Sequence, residues 1–512
     1  MNSAFVKNTK RNLIFGFINK IVIILCPFIT RTVFRYILGT EYLGLNNLFS
    51  SLLSVLSVAE LGFGSAIIYC MYKPVAENNI DEICPLLNFY KKVYKVIGII
   101  ILFLGILLIP FLPYLIAEGA YPHNINLSVV YSFYLINATI SYFMYAYMEA
   151  IIIVYQRDDI RSLVNTVVIL MLNVSQILVL LLSRNYYLYA ILIPVFTVIN
   201  NIWTAYQARK RFPQYSCYGN LSKMTKNDIK LRVGGTVISK ICKVSRNSFD
   251  SVCTSLFLGL TMTAIYNNYY YILTAMSSIM SIVSASIRGG IGNHVVTKSK
   301  AENYNELKQL DFAYMLIASW FVTFYICLIQ PFMEIWMGKD MLLSMPLVAL
   351  LGFYFYLLCT GDMRSIYTEA NGLWWEHRHR SIIEAAGNLL LNVILGKYYG
   401  IYGIIIATIM TILFCNFLWG SYIVFKYYFG LKRIKDYFSD HFKYMIMSTL
   451  TVFVTYTICL LIPIHRNIFL LLSRGFVCLF VFFIVFFVKY YHNPLARNIF
   501  KHFSGLHTNT SD

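Results

Sequence analysis

Lys20, Arg31 and Arg35 lie within a stretch, Arg11 to Gly44, that is otherwise apolar enough to cross a membrane, with Ile21-Val22-Ile23-Ile24-Leu25 near its middle. At 100° per residue, Lys20 and Arg31 fall about 20° apart around a helix and Arg31 and Arg35 about 40° apart, so the three share one narrow face. A cation near the bilayer centre costs about 2.5–3.5 kcal/mol and normally faces a bundle interior or a wet cavity. The chemistry on offer is binding. The pattern predicts a cationic cavity inside a membrane, with an anionic ligand. Pro27 sits between Lys20 and Arg31, removes one backbone hydrogen bond and clashes with the carbonyl of Ile23. It is the expected hinge of this helix.

Further charged groups lie in other apolar stretches. Lys240, Lys243 and Arg246 are further candidates to line the substrate cavity: with Asp250, a candidate for ion coupling or pairing, they fall within an arc of about 120° on one helix, and Arg246 and Asp250 are spaced to neutralise one another. Glu60, Glu149 and Glu384 are candidates for proton or sodium coupling, or for pairing with the cations. Asp362, Arg364 and Glu369 suggest another cluster, and Arg474 has no evident partner in the sequence. The tract Glu376-His377-Arg378-His379-Arg380 has the look of a metal or switch motif, but it sits where a basic loop is the topological default. The eleven cysteines are scattered without a C-x-x-C pair, so they read as small apolar packing residues. No metal site and no cofactor are expected, and no nucleotide-binding fingerprint occurs.

The elements that must position these residues follow from composition. The 512 residues are 58% hydrophobic and 13% charged. A soluble chain of this length carries nearly twice that charge fraction, so the fold class is an all-α polytopic membrane protein. Fourteen apolar segments of spanning length occur, at roughly 12–38, 43–72, 93–116, 126–154, 162–182, 186–208, 234–259, 263–287, 309–330, 343–368, 380–397, 401–425, 443–463 and 469–489. Lys and Arg gather at every second connection, for instance Arg209-Lys210-Arg211 and Lys426, Lys432, Arg433 and Lys435. The positive-inside rule then puts both termini in the cytoplasm and accounts for most of the net charge of +19 without nucleic acid. The basic loop can also touch anionic lipid headgroups.

A weak internal repeat appears at a shift of about 220 residues: Lys20 on Lys240, Ile21 on Ile241, Leu38-Gly39 on Leu258-Gly259, and slightly later Asn46-Asn47 on Asn267-Asn268. An offset of six spans keeps membrane orientation, giving two parallel six-helix repeats, with substrate expected between such repeats near midplane. The expected domains are an N-terminal lobe (1–208), a cytoplasmic basic linker (209–233), a C-terminal lobe (234–425), and two appended helices with a cytoplasmic tail (426–512).

Arg31, the run Leu38-Gly39-Thr40-Glu41-Tyr42-Leu43-Gly44-Leu45, Glu60-Leu61-Gly62-Phe63-Gly64-Ser65-Ala66 and Met71-Tyr72-Lys73-Pro74 resemble the opening of bacterial polysaccharide flippases. These form the O-antigen and capsule repeat-unit branch of the multidrug/oligosaccharidyl-lipid/polysaccharide exporter superfamily. Asp250, Leu258-Gly259, Tyr266-Asn267 and Gly292-Asn293 continue the resemblance in the second half. It implies alternating access for an undecaprenyl-diphosphate-linked oligosaccharide, carried from the inner to the outer leaflet of the bacterial cytoplasmic membrane. Expected partners are that lipid-linked glycan, membrane lipid, and the polysaccharide polymerase and chain-length machinery. A transporter, not an enzyme, is expected. The rivals are a cation-coupled multidrug exporter, a lipid-linked peptidoglycan-precursor flippase and a membrane-embedded glycosyltransferase. The first usually carries an acid in its first span, where this chain has none between Arg11 and Thr40. The last needs paired acids with metal-ligand spacing.

Overall fold

The computed structural model describes residues 3–57, 63–117, 120–221, 223–463 and 467–490. Helices and short connections make them up, with no strand among the described residues. In chain order the helices are α1 (Ser3–Leu38), α2 (Thr40–Leu56), α3 (Phe63–Ala76), α4 (Ile80–Leu108), α5 (Leu127–Phe143), α6 (Glu149–Val154), α7 (Asp158–Ser183), α8 (Tyr186–Arg211), α9 (Lys223–Thr297), α10 (Lys300–Met337), α11 (Met345–Thr360), α12 (Asp362–Ala370), α13 (Arg378–Thr411), α14 (Gly420–Val424), α15 (Ile434–Leu460) and α16 (Asn467–Tyr490). Two π-helical segments, Ile412–Trp419 and Phe425–Phe429, flank α14. Among the described residues ten helices are long and apolar enough to cross a membrane, or eleven if α5 and the following residues to Val154, bent by 51°, count as one span. Two of them, α9 and the run from α13 to Phe429, each cover two of the expected apolar segments, so the chain is an all-α polytopic membrane protein.

Glycine marks the breaks within these long runs. Gly39 between α1 and α2 has φ 101° and ψ 176°, and Gly259 inside α9 has φ 80° and ψ −179°. This region of backbone space is open almost only to glycine. The two residues are the pair aligned by the sequence shift, and both bend a membrane helix in the same way. Helix starts are set by side chains that accept the orphan N–H groups of the first turn. Asn126 caps α5 through Ser128 and Val129, Asn185 caps α8 through Tyr187 and Leu188, and Ser299 with Glu302 forms a reciprocal capping box on α10.

The chain divides into two compact units, Met1–Asn267 and Asn268–Asp512. In the first, α7 packs against α1 and α8, and α5 against α4 and α8. A buried cluster built on Ile67, Tyr90, Tyr94, Tyr142 and Ile152 joins α3, α4, α5 and α6. In the second, α10 lies against α11, α15 and α16.

Candidate functional site

The position of the α1 cations is set by what the rest of α1 binds. Asn19 donates to the Ser162 carbonyl at 3.1 Å and to Thr166 Oγ1 at 2.9 Å, and Thr30 donates to Asn173 Oδ1 at 2.7 Å. Asn12 donates to the Gln156 carbonyl at 2.9 Å and accepts from the Asp159 N–H at 2.8 Å. Asn12, Asn19 and Thr30 lie within about 20° of one line along α1. Polar bonds of this kind hold membrane helices together where the hydrophobic effect does not. Phe34, fully buried, wedges against Tyr186 and Tyr189 of α8 at ring-centroid distances of 5.7 and 4.7 Å. The register of α1 is thereby fixed.

Lys20, Arg31 and Arg35 then stand about 80–140° around the helix from that seam, on a flank between it and the exposed Ile14, Ile21, Leu25 and Ile29. All three are half-buried. The Arg35 guanidinium carbon lies 4.8 Å from the centroid of the Tyr36 ring. α1 runs through Pro27 as a single helix. The seam residues Asn12, Asn19 and Thr30 of α1 and Asn173 of α7 were not singled out by the sequence, although the spacing of the first three along α1 carried the same periodic signal as the cations.

In α9, Arg246 and Asp250 are both buried, and the Tyr266 hydroxyl donates to Asp250 Oδ2 at 3.3 Å. The side chains of Lys240 and Lys243, and the whole of Glu60, fall outside the described residues. Glu149 is engaged elsewhere: Arg161, twelve residues on, contacts it at 2.5 Å and also holds Asp158 at 2.9 Å. This places Glu149 in an ion-pair group at the junction of α6 and α7.

The second unit separates residues that the sequence groups. Asp362 accepts from the Tyr314 hydroxyl at 2.6 Å, and Glu369 pairs with Arg288 at 3.2 Å. Arg364, buried, turns the other way and donates to the Asn416 carbonyl at 2.9 Å, to Asn416 Oδ1 at 3.1 Å and to Ser421 Oγ at 3.1 Å. The expected Asp362–Arg364–Glu369 cluster does not form, because Arg364 lies about 200° around α12 from Asp362. Its guanidinium instead serves the π-helical turn, where the altered register leaves carbonyls to be satisfied. The buried Glu384 pairs with the partly buried Arg380 at 2.8 Å.

The basic tract before α13 is also more than a solvated loop. Arg378 stacks on Trp375, and His377 is only 4% exposed. Burial, then the nearby Arg380 and Arg364 charges, push the His377 imidazole down to about 3. Within the second unit a cavity of about 720 Å³ opens near the turn from α9 to α10, lined by polar groups including Ser286, His294, Lys298, Glu306, Gln309 and Tyr314. Glu306 holds His294 at 2.8 Å and Lys298 at 3.5 Å there.

Solved structures share this fold. The lipid II flippase MurJ in an inward closed conformation superposes with a TM-score of 0.68 at 16% identity, covering 96% of this chain and 99% of its own. An inward-facing multidrug resistance transporter of the MATE family, from the MOP superfamily, gives 0.60 at 14% identity over 77% of this chain and 92% of its own. A MOP superfamily transporter from Pyrococcus furiosus, described as having a binding pocket of reversed polarity, gives 0.55 at 14% identity over 82% and 96%. No protein-family model matches the sequence, and no curated protein does. At these identities the likeness is one of fold.

Proposed function

We propose that this chain is a flippase for an undecaprenyl-diphosphate-linked oligosaccharide, working by alternating access between the inner and outer leaflets of a bacterial cytoplasmic membrane in the making of surface polysaccharide. The observation that carries the reading is the α1 flank: three half-buried cations on a membrane helix whose register is held by its own polar seam. A diphosphate is the anionic part of such a lipid. Arginine meets phosphate oxygens with a planar fork of donors, a match that a single ammonium lacks. The glycan needs water around it, while the polyprenyl tail stays in lipid. A proton or sodium gradient is the proposed driving force.

Coverage supports a lipid-linked substrate over a drug. The MurJ superposition takes in 96% of this chain, against 77% for the inward-facing MATE transporter. A cationic face also repels cationic drugs. In proteoliposomes carrying a fluorescent polyprenyl-diphosphate oligosaccharide, the wild-type chain is expected to move the probe between leaflets. Arg31→Ala and Arg35→Ala are expected to insert normally and to move it about 10- to 100-fold more slowly. Wild-type rates in both variants overturn the role of the flank. Transport of a cationic dye in preference to the lipid probe overturns the substrate class.

A further inference from the structure

Cys327 on α10, Cys459 on α15 and Cys478 on α16 are each fully buried, and their three Sγ atoms all lie within 4.8 Å of one another. The cysteines are 132 and 151 residues from Cys327 along the chain, and each helix contributes one. Phe324, Leu328, Tyr456 and Val477 close around them. Arg474, four residues before Cys478 and so on the same side of α16, donates from Nη1 to the Cys327 carbonyl at 3.3 Å, and its Nε is buried without an acceptor.

We propose that Cys327, Cys459 and Cys478 form a three-coordinate thiolate site for a soft metal ion, cuprous copper, which fastens α15 and α16 to α10. A metal with sulfur ligands at about 2.3 Å in a trigonal plane needs sulfurs about 4.0 Å apart, inside the 4.8 Å within which the three already lie. A disulfide draws two sulfurs to about 2.0 Å and leaves the third out. Thiolates select soft ions and reject magnesium and calcium. Structural zinc takes four ligands, and no fourth cysteine, histidine or carboxylate joins this group among the described residues.

Three S–H bonds break and three S–Cu bonds form. The three protons leave to solvent, copper stays monovalent throughout, and the complex carries a charge of −2 that the neighbouring Arg474 partly offsets. No oxidant or reductant is consumed.

The test uses the full chain in lipid nanodiscs, loaded anaerobically with a cuprous acetonitrile complex and then challenged with a cuprous chelator. Wild type is expected to keep about one copper per chain, with a sulfur-only shell of three by X-ray absorption. A variant with Cys327→Ala, Cys459→Ala and Cys478→Ala keeps every other cysteine and is expected to hold copper at least ~10-fold less well, while copper raises the thermal midpoint of the wild type alone. Cys459→Ser, a milder change, is expected to lose the three-sulfur shell even if the triple variant fails to fold. Equal retention by a well-folded variant, a disulfide among the three residues under reducing purification, or preferential retention of zinc overturns the proposal.

Discussion

Arg31 and Arg35 differ from the surface arginines of this chain in where their cost is paid. A guanidinium stays charged under all accessible conditions, so the membrane carries two fixed cations whether or not a ligand is present. Charge-assisted hydrogen bonds contribute about 1.5–3 kcal/mol each. Arg31→Ala should therefore lower lipid-probe transport by about 10- to 100-fold, and Arg31→Lys should recover part of it by restoring charge without the bidentate fork. His377 makes a separate claim at the same scale. Its folded-state value of about 3 lies below the ordinary imidazole value of 6.5, so between those limits the unfolded chain binds the proton more readily. The stability from a neutral, buried His377 is whole above pH 6.5 and drains away as pH falls toward 3. Thermal midpoints in detergent should accordingly drop more between pH 7 and pH 4.5 for wild type than for His377→Gln. Nothing in the sequence distinguishes His377 from His379, its neighbour in the same tract; burial alone does, since His377 is buried and His379 exposed.

At the scale of elements, the glycine breaks were visible in the sequence but their meaning was not. The Leu38-Gly39 and Leu258-Gly259 pairs stood out as repeated letters; only the backbone reveals that both adopt the same glycine-only conformation. A Cβ at Gly39 would meet nothing within 4 Å, so the penalty for Gly39→Ala is conformational, about 1–3 kcal/mol. Gly44 is the reverse case. It is helical, and a Cβ there collides with the Leu260 backbone carbonyl, so the penalty is steric. A melting series in nanodiscs should show both alanine variants destabilised, and Gly39→Asn, whose tolerance of positive φ is confined to the left-handed helical region, should recover nothing over Gly39→Ala. Gly44→Asn should be worse than Gly44→Ala. The apolar segments and the cations of α1 were legible because each depends on residues a few turns apart. The union of Cys327 with Cys459 and Cys478, and the separation of Arg364 from Asp362, depend on helices far apart in the chain or on which side of one helix a partner happens to lie. Periodicity records neither.

At the scale of the whole molecule, the proposed function leaves two lipid-linked glycans to be told apart, since on that reading the α1 cations address only the diphosphate that both carry. The sugar decides the cellular outcome. If the substrate is a repeat unit for surface polysaccharide, cells lacking the gene should remain viable, lose the polysaccharide from their surface and accumulate its undecaprenyl-diphosphate precursor in the inner leaflet. If the substrate is a peptidoglycan precursor, depletion should arrest growth and accumulate that precursor instead. Mass spectrometry of extracted polyprenyl lipids, with leaflet assignment by an impermeant glycan-modifying reagent, separates the two. Complementation with Arg31→Ala ties the result to the flank: the same lipid should accumulate as in the deletion, with the variant present in the membrane at wild-type level. Normal surface polysaccharide together with accumulated peptidoglycan precursor excludes the proposed glycan while leaving the cationic flank and its diphosphate intact.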